Sequence, residues 1–167
     1  MEAEMRKITI ISLVTLLMLL FPVNSYSKNI NKTGFSLGPG LAFATEIDQV
    51  GFSLKGVYNI TSQWEVAPMF TYYLEKDEVT WYDLFLNCNY VFYQKDALGF
   101  FGSAGLTITF YNMEFFGENL SGNETSLNLG GGMYYQLSGS TRLGLDLKYT
   151  FGDADHLFLG AQILFGL

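Results

Sequence analysis

From Gly34 to Leu167, apolar side chains return at every second position, the period of strands whose two faces meet different surroundings. Eight such stretches are expected: Gly34–Thr45, Val50–Ile60, Trp64–Glu75, Thr80–Tyr93, Leu98–Tyr111, Thr125–Leu137, Thr141–Phe151 and His156–Leu167. In the first, Phe35, Leu37, Leu41 and Phe43 face one way, and Gly34, Ser36, Gly38, Gly40, Ala42 and Ala44 face the other. In the seventh, Leu143, Leu145, Leu147, Tyr149 and Phe151 oppose Arg142, Gly144, Asp146, Lys148 and Thr150. The fourth puts Trp81, Phe85, Val91 and Tyr93 on the same face as Asp83, Asn87 and Asn89.

The runs have 11–14 residues, enough for a tilted strand to cross a bilayer, which needs about 9–11. An open sheet in lipid would leave edge N–H and C=O groups unpaired, so the sheet must close. The expected fold is therefore all-β: an eight-stranded antiparallel up-and-down transmembrane β-barrel over residues 34–167. The links alternate in character. Thr61–Gln63, Gln94–Ala97 and Ser138–Ser140 read as tight periplasmic turns. Glu46–Gln49, Lys76–Val79, Asn112–Glu124 and Gly152–Asp155 read as exterior loops, the third being the longest. Asp48, Asp77, Glu78, Glu114, Glu118, Glu124, Asp153 and Asp155 make that rim acidic. Acidic loops keep a surface hydrated; the sharper alternative is divalent cations bridging to lipopolysaccharide.

The chain starts differently. Arg6 and Lys7 precede an apolar run from Ile8 to Phe21, closed by Pro22, with small residues at Ser25 and Ser27. This is the build of a secretory leader, too short for a spanning helix. Residues 1–27 are read as a cleaved signal peptide, with cleavage after Ser25 or Ser27, and 28–33 as a short periplasmic segment. Glu2 and Glu4 are unusual in such a leader, so translation from Met5 is the alternative to Met1.

Composition sharpens the membrane reading. Charged residues are only 15% against 49% hydrophobic, with 11 Tyr, 15 Phe and 18 Gly; soluble domains carry about 25% charged residues. The net charge of −7 excludes a nucleic-acid partner, which needs a basic face. A soluble ligand-carrying barrel would show Lys and Glu on its second face, whereas here that face is Gly, Ala, Ser, Thr and Asn. Trp64, Tyr58, Tyr82, Tyr90 and Tyr149 fall near strand ends, where an aromatic belt meets lipid headgroups. The single cysteine, Cys88, excludes an intramolecular disulfide and reads as apolar filler.

A barrel of this size has an interior that side chains fill. The inward polar set is Lys55, Glu65, Asp83, Asn87, Arg142, Asp146 and Lys148, joined by Glu75, and such ions must pair. By height, Arg142 meets Glu65 near the periplasmic mouth, while Lys55, Asp146 and Lys148 lie near mid-depth. The small first strand should face the large residues of the fourth and fifth, including Phe85, Tyr93, Phe101 and Tyr111. An ion-pair plug is the first reading and a wetted, gated path the second.

Catalysis finds little support. His156 is the single histidine, and the residue two positions on is Phe158, so the His and Ser spaced two apart in lipid A deacylase barrels is absent. No second His or Cys could join it at a metal, and no cofactor is expected. Pro39 and Pro68 fall mid-strand on the outward face at similar height. Proline removes a ladder hydrogen bond, so each needs a bulge or marks a lateral seam through which an apolar molecule passes.

The leader, the alternating strands, the short turns and the apolar last strand together resemble the OmpA/OmpX-like "porin family" of small outer-membrane barrels. The resemblance covers about Gly34 to Leu167. It implies the bacterial outer membrane, a monomer among lipid and lipopolysaccharide, and insertion by the barrel-assembly machinery. The final Ile163-Leu164-Phe165-Gly166-Leu167 resembles the signal that machinery reads, with Leu167 where Phe is common and Phe165 two earlier. Three functions are expected in order: first, a non-enzymatic role in envelope integrity or surface contact; second, a narrow channel or a lateral carrier of small apolar molecules; third, lipid A modification.

Overall fold

The computed structural model describes residues 34–75, 79–115, 118–153 and 155–167, with the side chains of 113–120 left aside. The expected leader over 1–27 and the segment 28–33 lie outside the described residues, as do the loop acids Asp77 and Glu78 and the side chains of Glu114 and Glu118. The described residues form eight strands: β1 (Phe35–Ala44), β2 (Gln49–Asn59), β3 (Trp64–Tyr73), β4 (Val79–Lys95), β5 (Leu98–Phe115), β6 (Glu118–Gln136), β7 (Thr141–Phe151) and β8 (His156–Gly166). Each pairs antiparallel with the next, and β8 pairs with β1 to close the barrel. Closure removes the sheet edges that hydrocarbon would not tolerate.

The alternation becomes an inside and an outside. On β2, Phe52, Leu54 and Tyr58 are about half exposed, while Ser53, Lys55, Val57 and Asn59 are buried. This is an inverted soluble protein: the exposed residues include Leu41, Phe70, Leu86, Leu106, Leu147 and Ile163, and the buried ones include Asn, Thr, Lys and Asp. Such an outer face suits acyl chains and not water.

Two girdles of aromatic rings cross the outer face. Toward the turns and C-terminus, Tyr58 and Trp64 are exposed and Trp64 leans on Tyr90 at 4.8 Å. Toward the opposite end, Tyr82 contacts Tyr72 at 5.3 Å and Tyr149 meets Phe151 edge-on at 4.8 Å.

Three expectations change. The stretch Asn112–Glu124 is not a long loop: β5 and β6 pair up to Phe115 opposite Glu118. Tyr93 does not enter the lumen, because the β4–β5 register shifts between Val91 and Tyr93. One extra residue reverses the facing of all that follow, so Tyr93 is 43% exposed and its ring lies tilted 5.8 Å from that of Phe100. Glu75 lies past the end of β3 and is exposed.

Candidate functional site

The candidate site is the barrel interior, where the inward face of every strand delivers polar and aromatic groups in three tiers. At the loop end, Asp83 on β4 is buried and well satisfied. Tyr73 Oη donates to its Oδ2 at 2.8 Å, and Thr109 Oγ1 donates to Oδ1 at 2.7 Å. His156, at the start of β8, places Nε2 3.1 Å from Asp83 Oδ2. Trp81 and Tyr111 lean together at 5.6 Å beside this group. A cavity of about 220 Å³ opens above it, lined by Glu46, Ile47, Trp81, Asp153 and Asp155 among others. In a nucleophilic triad the histidine stands between hydroxyl and carboxylate. Here the hydroxyls of Tyr73 and Thr109 bond to the carboxylate itself.

The middle tier is the most deeply buried. Lys55 Nζ lies 2.7 and 2.9 Å from the two Asp146 oxygens, and Lys148 Nζ lies 3.0 Å from Oδ1. The three side chains are at most 2% exposed. Two cations share one carboxylate, and aromatic faces supply the rest of the negative potential. Lys55 sits 5.1 Å from the Phe101 ring centre, and Lys148 sits 5.2 Å from both Phe85 and Phe158. Phe85 and Phe158 contact each other at 4.9 Å. Glycine makes room for these rings: a Cβ at Gly132 would lie 2.6 Å from Phe101 Cζ. On the β4–β6 side, Asn128 Nδ2 donates to Asn87 Oδ1 at 2.9 Å and to Thr107 Oγ1 at 3.0 Å, and Asn87 donates to Ser103 at 3.1 Å.

At the turn end, Glu65 Oε2 accepts from Tyr134 Oη at 2.8 Å and from Asn89 Nδ2 at 3.3 Å. Arg142 Nη1 lies 3.4 Å from Glu65 Oε1, and the guanidinium rests 4.1 Å over the Tyr134 ring. A second cavity, of about 360 Å³, opens beneath this pair.

All seven polar residues singled out from the pattern thus lie in the interior, divided among the tiers. Tyr134, Phe158 and Leu164 were not singled out, yet all are buried there. Strict parity from Gly132 and from His156 points to them. Apolar character marks the outer face in this pattern, and that masks them.

Pro39 and Pro68 do not sit at bulges. The β1–β8 ladder keeps one register from Leu37–Phe165 to Gly40–Gln162 and is interrupted between, at Gly38 and Pro39. The β2–β3 ladder keeps one register from Lys55–Met69 to Tyr58–Val66 and is interrupted at Gly56 and Val57, opposite Pro68 and Ala67. No residue is inserted, so each interruption is a missing set of rungs, as a residue without N–H requires. Both lie at one level, because Gly38 pairs with Lys55 and Leu37 with Gly56 across the unbroken β1–β2 ladder. Behind them Val57, Ala67, Val91, Phe101, Tyr134 and Leu164 form a buried apolar cluster.

Comparison with known proteins yields fold likeness alone. No protein-family model matches the chain, and no curated protein does. The N-terminal β-barrel domain of Pseudomonas aeruginosa OprF is similar over 81% of this chain and 98% of its own, with a TM-score of 0.67 and 20% identity. Neisserial surface protein A is similar over 80% and 96%, with a TM-score of 0.64 and 15% identity. Ail, the attachment invasion locus protein of Yersinia pestis, is similar over 80% and 95%, with a TM-score of 0.58 and 19% identity. The closed eight-stranded ring of this chain is that of the small outer-membrane β-barrels.

Proposed function

We propose that the chain is a non-enzymatic protein of the bacterial outer membrane whose lumen is plugged by its own side chains, acting in envelope integrity or in surface contact through its loops. The observation that carries this reading is the middle tier: Lys55, Asp146 and Lys148 bonded across the lumen and walled by Phe85, Phe101 and Phe158, all essentially without solvent exposure. A plug of paired ions and rings blocks ions because opening it would leave charges unpaired in a low-dielectric space. Single-channel recording of the refolded chain in planar bilayers tests it. The expected result is an absence of sustained conductance, and a steady open level overturns the plug.

On this reading the chain stands as a monomer among lipid and lipopolysaccharide. Its last strand, with Phe165 and Leu167 turned outward, serves as the segment read by the insertion machinery. Replacing Phe165 with a polar residue should slow assembly in cells more than refolding in detergent.

A second reading, lateral carriage of small apolar molecules, is favoured by the paired ladder interruptions at Pro39 and Pro68. It predicts proteoliposome uptake of an apolar solute that falls when both prolines become Val.

A further inference from the structure

The turn-end mouth holds a guanidinium that the barrel does not finish bonding. Nε and Nη2 of Arg142 are buried and have no hydrogen-bond partner. Nη1 has Glu65 Oε1 at 3.4 Å, while the other Glu65 oxygen is already taken by Tyr134 and Asn89. Nε and Nη2 form one side of the guanidinium, the fork that grips two oxygens of a carboxylate or phosphate. Arginine cannot relieve the shortage by losing its proton.

A partner has room to enter. Arg142 lines the cavity of about 360 Å³ and keeps 13% of its side chain exposed, and a ligand there would reach the buried fork by turning the guanidinium toward that space. This volume falls in the range of small-molecule sites, about 300–1,000 Å³. Asn59 lines the same cavity, is 8% exposed, and has its Oδ1 buried without a partner. The two unfilled groups are complementary to one kind of molecule. The fork wants an anionic pair of oxygens, and Asn59 wants a donor.

We propose that this mouth cavity is a binding site for a small hydroxy-substituted oxyanion, its charged end on Arg142 and its hydroxyl on Asn59 Oδ1. Glu65 opposes the ligand's charge and competes for the same guanidinium, so the site is weak, with Kd on the order of millimolar. The site is independent of whether the lumen conducts, since it lies outside the middle tier.

The test is an NMR titration of the refolded barrel in uncharged maltoside micelles with lactate, and with propionate, which lacks the hydroxyl. Lactate should shift the Arg142 Nε–H and Asn59 side-chain signals to saturation, with propionate several-fold weaker. Arg142→Lys keeps the charge and removes the fork, and should weaken lactate at least tenfold. Glu65→Gln should tighten it several-fold, and Asn59→Ala should erase the difference between the two acids. Signal dispersion verifies the fold of each variant. Shifts that stay linear with concentration, a Kd unchanged by Arg142→Lys, or a Kd weakened by Glu65→Gln would each overturn the proposal.

Discussion

The middle and turn-end tiers use the same chemistry under different conditions. Lys55, Asp146 and Lys148 meet at 2.7–3.0 Å with essentially no exposure. Arg142 and Glu65 meet at 3.4 Å beside an open cavity. In the first case the ions have exchanged water for one another, so each depends on the others. In the second, Glu65 is equally buried and only Arg142 keeps some exposure to the cavity, so a solute can replace a partner on the arginine side alone. By distance both are salt bridges; the exposure that Arg142 keeps beside an open cavity makes the mouth pair the adjustable one.

The largest effect should come from Asp146→Leu. It leaves two lysines buried without a carboxylate, and breaking a buried pair on one side costs about 3–5 kcal/mol. Urea unfolding in micelles measures it, and a loss below about 1 kcal/mol would erase the contrast between tiers. Next, Phe158→Ala should cost about 3 kcal/mol, since it opens a void beside Phe85 and strips a ring from Lys148. Lys148→Met removes one of two cations and leaves Lys55 and Asp146 balanced, so the same titration should move by about 1 kcal/mol or less in either direction. Smallest, the Arg142–Glu65 coupling in a double-mutant cycle should be about 1 kcal/mol, because the contact is long at 3.4 Å and Glu65 keeps Tyr134 and Asn89 when Arg142 is lost. It should shrink further in about 1 M salt, where screening reaches about 3 Å. A salt-insensitive coupling would mean the mouth pair is as dry as the middle tier.

Strand number, facing and closure were legible because each strand meets lipid on one side and the lumen on the other, and hydropathy records that difference. Where the difference vanishes, so does the signal. Asn112–Phe115 and Glu118–Glu124 are paired but show no clean alternation, so the pattern predicts a loop there. At Val91–Tyr93 one inserted residue reversed the facing, and periodicity has no sign for an insertion. The charged interior residues were legible since no Asp or Lys belongs against acyl chains. Tyr134 and Phe158 were not, because a large ring inside a barrel carries the same hydropathy as one outside. Which ions share a tier depends on register across the closed ring, and single strands do not encode that.

The β5–β6 hairpin continues past β7, which accompanies β6 only as far as Leu127 although β6 begins at Glu118, while β4 stays beside β5 up to Met113. Closure of the ring runs entirely through rungs below that point. β6 can therefore peel from β5 above Leu127 while every stave of the ring stays in place. Amide exchange should record this as a steep gradient along a single strand, fast above Leu127 and slow beneath it.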